Sequence, residues 1–359
     1  MRLHSPLRTL VGLAIAGLAV AAPAPALAHG GAAVFTETNA SANAVQVYQQ
    51  SGDGTLTPGA SYLTGGAGTG AGLGSQGALA LERGWLLAVN AGSNDVSAFR
   101  VRGNQLVLVN RVPSGGTTPN SVTIHGDVVY VLNSGVSGNI TGFKLSRHGL
   151  SPLSGATQPL SSATAGAVQV SFTPRGDQLV VSEKAANTIE TYPVDRWGRA
   201  GAGTAHASAG AAPFGFAFGK HDSLLVTEAA ASALTSYQLD PFTTITASLL
   251  NGQGAACWAA STRDGRLVYT ADAATDAISA YSVAWNGALS LVTPGGATAQ
   301  LATGTHPLDE AISRDRFLYV NGGNTGTVNA FEIAADGSLT SLGSVSGLPA
   351  GFGGLVVSS

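Results

Sequence analysis

Seven polar residues stand at nearly the same distance ahead of an aromatic along this chain: Asn39, Asn90, Asn133, Glu183, Glu228, Asp272 and Asn321. Each closes a short apolar run nine or ten residues before a Tyr or Phe, and three of them are carboxylic acids. Carboxylates held close together raise one another's pKa, which suits a general base working near neutral pH. The same acids could hold a cation, a point that residue type leaves open. Asn and Asp favour tight turns by bonding their own backbone, so turn chemistry competes for these positions. Glu is a poor turn former, and this singles out Glu183 and Glu228. A second set, Asn120, Phe214, Phe216, Trp258 and Asp309, follows Pro119, Pro213, Cys257 and Pro307. Aromatic walls with a few polar groups suit a small organic ligand, although Phe and Trp also serve as plain core.

The elements that must position these residues are legible as a repeat. A β-branched residue or Leu, two variable residues and then Tyr or Phe recur as Val45–Tyr48, Val96–Phe99, Ile140–Phe143, Ile189–Tyr192, Leu234–Tyr237, Ile278–Tyr281 and Val328–Phe331. The mean spacing is about 47 residues, so seven copies account for nearly the whole chain. Each copy reads as four short strands, with apolar runs such as Leu86-Leu87-Ala88-Val89 and turns such as Ala335-Asp336-Gly337-Ser338. This predicts an all-β fold, a single seven-bladed β-propeller of four-stranded blades. The first copy begins at a second strand, Ala33 to Thr38, and the chain ends on a strand of first-strand type, Phe352 to Val357. The C-terminal strand is therefore expected to complete the first blade and close the ring. In that ring, Asn90, Asn133, Glu183, Glu228, Asp272 and Asn321 are expected to face one mouth of the central channel, with Asn120, Phe214, Trp258 and Asp309 beside them.

Other chemistry is missing from the sequence. No Ser carries Gly at both −2 and +2, so the hydrolase nucleophile elbow is absent. The histidines lack metal-site spacing, and no cofactor is expected. Gly66-Ala67-Gly68-Thr69-Gly70-Ala71 fits a dinucleotide fingerprint formally, but no helix should follow it, and it reads as a flexible crossover loop. Cys257 is the single cysteine and reads as a small buried apolar side chain. Charged residues are 10% and hydrophobic ones 44% of the 359, so the chain can bury a core. With lysine only at 144, 184 and 220, nucleic-acid binding is not expected.

Residues 1–28 read as a signal peptide, with Arg2 and Arg8 ahead of an apolar stretch from Leu10 to Ala22 and a small-residue site at Ala26-Leu27-Ala28. The propeller domain then runs from 29 to 359. An exported, monomeric protein with no membrane span after signal removal is expected, periplasmic or extracellular.

The repeats resemble the seven-bladed lactonase-like propellers, the family of bacterial 6-phosphogluconolactonases and fungal 3-carboxymuconate cyclases. Thr262-Arg263-Asp264-Gly265-Arg266-Leu267-Val268-Tyr269, Ala335-Asp336-Gly337-Ser338-Leu339 and the closing strand carry the resemblance. It implies a channel site built from a His, arginines and a Glu. Carried over residue by residue, the Pro-Arg-His of that site falls on Pro213-Phe214-Gly215 and its inner-strand His on Val168. Its arginines fall on Ala273 and Leu308, and only its Glu survives, as Glu228. A site without arginines is poorly suited to phosphorylated substrates. The resemblance thus implies hydrolysis of a neutral, unphosphorylated lactone with Glu228 as general base. The alternative is a non-catalytic propeller that binds a small ligand or a protein partner at its mouth.

Overall fold

Strands in the middle of each repeat are buried on both faces, and this decides the architecture. Trp85–Asn90, for example, is buried at every residue, as is Phe317–Gly322. A strand covered on both sides reads as an unbroken apolar run, and in a chain without helical periodicity other sheets must supply the cover on both faces. The computed structural model describes Met1 and residues 32–358. Seven antiparallel sheets make up its propeller, six of them four-stranded, and a single 3-10 turn at Lys220–Asp222 is the only helical element among the described residues. In the sixth blade the outer strand is split into Leu289–Leu291 and Ala297–Gln300, both paired to Ala277–Val283.

The ring closes as the repeat offset requires. Gly353–Val357 is the innermost strand of the first blade and pairs antiparallel with Ala33–Glu37, with Val34 opposite Val357 and Thr36 opposite Leu355. The repeated aromatics Tyr48, Phe99, Phe143, Tyr192, Tyr237, Tyr281 and Phe331 are all buried and fill the space between blades. A second set of tyrosines, not evident from the motif, latches blade to blade. Tyr130, Tyr269 and Tyr319 donate their hydroxyls to the carbonyls of Gly198, Gly337 and Gly54, each in an outer hairpin turn of the following blade.

The signal-peptide reading of 1–28 lies outside the described residues. No described helix is long and apolar enough to cross a membrane.

Closure yields a test. Leu355 is 6% exposed and sits on the closing strand. Leu355→Ala should cost about 2–5 kcal/mol, a large part of a typical domain stability of about 5–15 kcal/mol. Removing residues 350–359 should prevent cooperative folding altogether. Chemical denaturation followed by circular dichroism checks both, and a truncated chain with an unchanged midpoint would refute closure by this strand.

Candidate functional site

The polar residues that close the second strands turn away from the channel. Glu228 is fully buried, and its carboxylate accepts Thr235 Oγ1 at 2.5 Å and Ser248 Oγ at 2.6 Å, groups on the third and fourth strands of its own blade. Asp272 accepts Asn251 Nδ2 from the preceding crossover at 2.8 Å and Ser279 Oγ at 2.6 Å. Glu183 accepts the amide and hydroxyl of Ser161, also in a crossover. Asn90 accepts Thr64 Oγ1 and donates to Ser97 Oγ, and Asn133 donates to the carbonyl of Ser114. Glu228 thus ties strands within its own blade, whereas the other four fasten a crossover to the blade it enters. Burial pushes the acids of Glu183 and Asp272 up to about 7.

Register corrects two of the seven positions. Gly322, paired with Thr327, is the seventh blade's counterpart of Asn90, paired with Asp95. Asn321 is one residue earlier, and because strand side chains alternate it points the other way, donating to Thr36 Oγ1 and the carbonyl of Gly354 in the first blade. In the first blade Thr38, not Asn39, pairs with Ala44. Asn39 instead holds the crossover through Thr69, Ala71 and Gly351. A one-residue difference in turn length defeats counting from the aromatic.

A strap crosses the channel where the sequence suggests only a loose loop. The segment 66–71 is pinned, with Gly68 N on the carbonyl of Ala40 and Gly70 N on that of Asn39, and a strand rather than a helix follows. Its continuation, Ser75-Gln76-Gly77, reaches four blades. Ser75 Oγ donates to the carbonyl of Asn120, and Gln76 N to that of Val168. The Gln76 amide bonds both the N–H and the carbonyl of Ala259. Gly77, at φ +83°, donates to Asp309. These contacts divide the channel.

Above the strap lies a pocket of about 270 Å³, walled by Trp258, His306, Leu308, Asp309, Asn324 and Phe352, with glycine backbone at 72, 74, 323, 351, 353 and 354. On the other side is a chamber of about 280 Å³ lined by Asp309, Glu310, Gln169 and Thr123 among others. Of the residues singled out from sequence, the structure brings Trp258 and Asp309 together at the pocket. Trp258 donates its indole N–H to the carbonyl of Ser75 at 2.9 Å, and Phe214 meets it edge-on at 5.0 Å. Asn120 lies beneath the strap with its amide on the carbonyl of Ala167. Asn90, Asn120, Asn133, Glu183, Phe214, Glu228, Asp272 and Asn321 line neither space.

Asp309 is 4% exposed, and its carboxylate accepts Gly354 N at 3.0 Å and Gly77 N at 3.4 Å. Burial lifts its pKa to about 6, against the opposing pull of those two amides. Glu37 and Glu310 go further: both are buried with neither carboxyl oxygen partnered. Burial, with Asp309 adding for Glu37 and Asp272 and Asp309 for Glu310, holds both well above the usual carboxylate range. Cys257 is buried as expected, and its thiol is pushed up to about 12. No group of three or more His, Cys, Asp or Glu among the described residues is arranged to hold a metal ion. Sequence reasoning missed His306, Asn324, Phe352, Glu310 and the strap. The length of the stretch from 64 to 78 was the one available signal.

No protein-family model matches the chain, and no curated protein matches it in sequence. Solved structures do. A candidate 6-phosphogluconolactonase from Bacteroides fragilis superposes with a TM-score of 0.71 at 18% identity, over 94% of this chain and 100% of its own. The periplasmic gluconolactonase of Pseudomonas aeruginosa gives 0.72 at 18% identity, over 90% and 98%. Virginiamycin B lyase from Staphylococcus aureus gives 0.56 at 10% identity, over 76% and 85%. At these identities the likeness is one of fold, and the fold serves more than one chemistry.

Acids with raised folded pKa values bind protons more tightly in the native state. Their stabilising effect is complete below the unfolded value, about 4 for Asp and Glu, and is lost as pH rises through the folded values. The melting temperature should therefore fall between pH 5 and pH 8. Glu310→Gln should raise it at pH 8 and leave it nearly unchanged at pH 5. Calorimetry at both pH values tests this, and a variant that melts lower at pH 8 would contradict a raised pKa at Glu310.

Proposed function

We propose that this chain is a lactonase-like propeller that hydrolyses a small, neutral, unphosphorylated lactone in the pocket above the strap. The observation that carries the reading is Asp309, a carboxylate raised to about 6 on the wall of that pocket beside Trp258. Such a group is largely ionised at neutral pH yet basic enough to take a proton. In this reading Asp309 removes a proton from water as the water oxygen bonds to the lactone carbonyl carbon. The ring C–O bond then breaks, and the proton passes to the departing alkoxide, leaving a hydroxy acid. Trp258, Leu308 and Phe352 supply apolar wall for the ring, and Asn324 is the nearby amide that could face the developing oxyanion. Among the described residues no Lys or Arg lines the pocket, and the one cation at its rim, Lys184, is turned to the carbonyl of Gly74 at 3.5 Å, which argues for an uncharged substrate. The B. fragilis and P. aeruginosa structures, a candidate and a named lactonase, support the choice of reaction class.

Glu228 is reassigned in this reading to holding Thr235 and Ser248. Asp309→Asn should lower kcat/KM on gluconolactone about 10²–10⁴-fold, the usual worth of a general base. It should also remove a rise in kcat/KM centred near pH 6. Glu228→Gln should keep turnover within a few-fold while losing about 1–3 kcal/mol of stability. The reverse pattern would return the base to Glu228. A second reading, binding without turnover, is favoured by the two amides already bonded to Asp309. It predicts that calorimetry detects lactone binding while no hydroxy acid appears.

Export belongs to the same proposal, supported by the N-terminal pattern and by a periplasmic protein among the structural neighbours. Mass spectrometry of protein released from expressing cells should find His29 at the N-terminus. A species still carrying Leu10 to Ala22 would indicate an anchor instead.

A further inference from the structure

A second candidate binding site lies on the opposite face, among the turns that join first to second and third to fourth strands. Here a groove of about 530 Å³ runs between the fifth and sixth blades, with Arg175 reaching in from the fourth. Its most conspicuous member is Trp285, 71% exposed on the outer hairpin turn of the sixth blade.

The repeats supply an internal control for that residue. In the sixth blade Ala284 N bonds the carbonyl of Ala288, as Ala334 N bonds that of Ser338 in the seventh. Asn286 and Asp336 play the same part, each accepting the amide two residues on. Trp285 therefore occupies the place of Ala335, and neither turn geometry nor core packing requires an indole there. The facing turn departs from its neighbours too. The fourth and sixth blades place Gly176 and Gly265 in the left-handed region, whereas the fifth places His221 (φ +51°) and Asp222 (φ +59°) there at a steric cost, as the seventh does with Arg314 and Asp315. That conformation brings the His221 ring to 3.9 Å from the indole, nearly perpendicular, with the Lys220 ammonium 5.6 Å from it. The ring is steadied and still largely open.

The polar groups define what fits. Two cations, Arg175 and Lys220, face two carboxylates, Asp222 and Asp240, so the groove has no net charge when His221 is neutral. Arg175 pairs with Asp222 at 3.4 Å, while Lys220 and Asp240 form no ion pair among the described residues. The groove is also lined by Ser223, 5% exposed, whose hydroxyl has no hydrogen-bond partner. An anion would meet two carboxylates, a cation two basic groups, and an apolar ligand would desolvate Lys220 and Asp240 and leave the Ser223 hydroxyl still unpartnered. A neutral polyhydroxylated ring avoids all three penalties. Its C–H face packs on the indole, and its hydroxyls meet both donors and acceptors.

We infer that this groove is a saccharide-binding site in which Trp285 is the stacking platform and Ser223, Lys220 and Asp240 take the hydroxyls. It is separate from the pocket above the strap. The test uses the full chain titrated calorimetrically with maltopentaose, cellopentaose and chitopentaose, and with oligogalacturonate as an anionic control. At least one neutral oligosaccharide should bind in the micromolar-to-millimolar range, and Trp285→Ala should weaken it about tenfold or more. Trp285→Ala should leave the melting temperature and lactone turnover as they were. His221→Gly, which removes the ring that steadies the indole and relieves a left-handed backbone, should also weaken binding without loss of stability. No binding by any neutral oligosaccharide, equal binding by Trp285→Ala, or preference for oligogalacturonate would each overturn the assignment.

Discussion

The ladder between Ala33–Glu37 and Gly353–Val357 is the contact on which the rest of the molecule depends. A blade has two faces, and each is covered only because another blade stands beside it. Opening the ring at one joint would expose the apolar faces on either side of the break, including Val34, Tyr48, Tyr319 and Val328, which now form one buried cluster. The joint is made by residues more than three hundred positions apart, so closure couples the two ends of the described chain into one cooperative structure.

Burial of every second strand on both faces creates a polar problem at its end, where the chain must turn. Hydroxyls, amides and carboxylates there cannot reach water, so they bond one another. Glu228 with Thr235 and Ser248, and Asp272 with Asn251 and Ser279, are local solutions to that requirement. Such residues look like a catalytic ring in a linear sequence because the same structural problem recurs once per blade. What distinguishes Asp309 from them is its place on the innermost strand, where a carboxyl borders open space.

Departures from the sevenfold pattern are where specific chemistry collects. The longest crossover folds over the channel and makes a blind pocket of what would be a tunnel, using Gln76 against Ala259 and Ser75 against Asn120 and Trp258. The fifth blade sets His221 against the indole of Trp285, and the sixth carries that Trp285 where the seventh has Ala335. A repeat fold makes such exceptions readable, since the other blades show what the scaffold alone requires.

Periodicity by itself determined the number of blades, the strand content and the closing strand, because each follows from local apolar patterning repeated at a near-constant length. Burial of Cys257 followed from its residue type, as a small apolar side chain. Which way a polar side chain points was decided only in three dimensions. A single extra residue in the turns after Thr38 and Asn133, and its lack after Gly322, shifts register and reverses the face, as Asn321 illustrates. The pairing of Trp258 with Asp309, the unpartnered acids of Glu37 and Glu310, and the path of the strap depend on contacts between blades far apart in sequence. Long-range packing selects those contacts, and no local pattern of residue types encodes them.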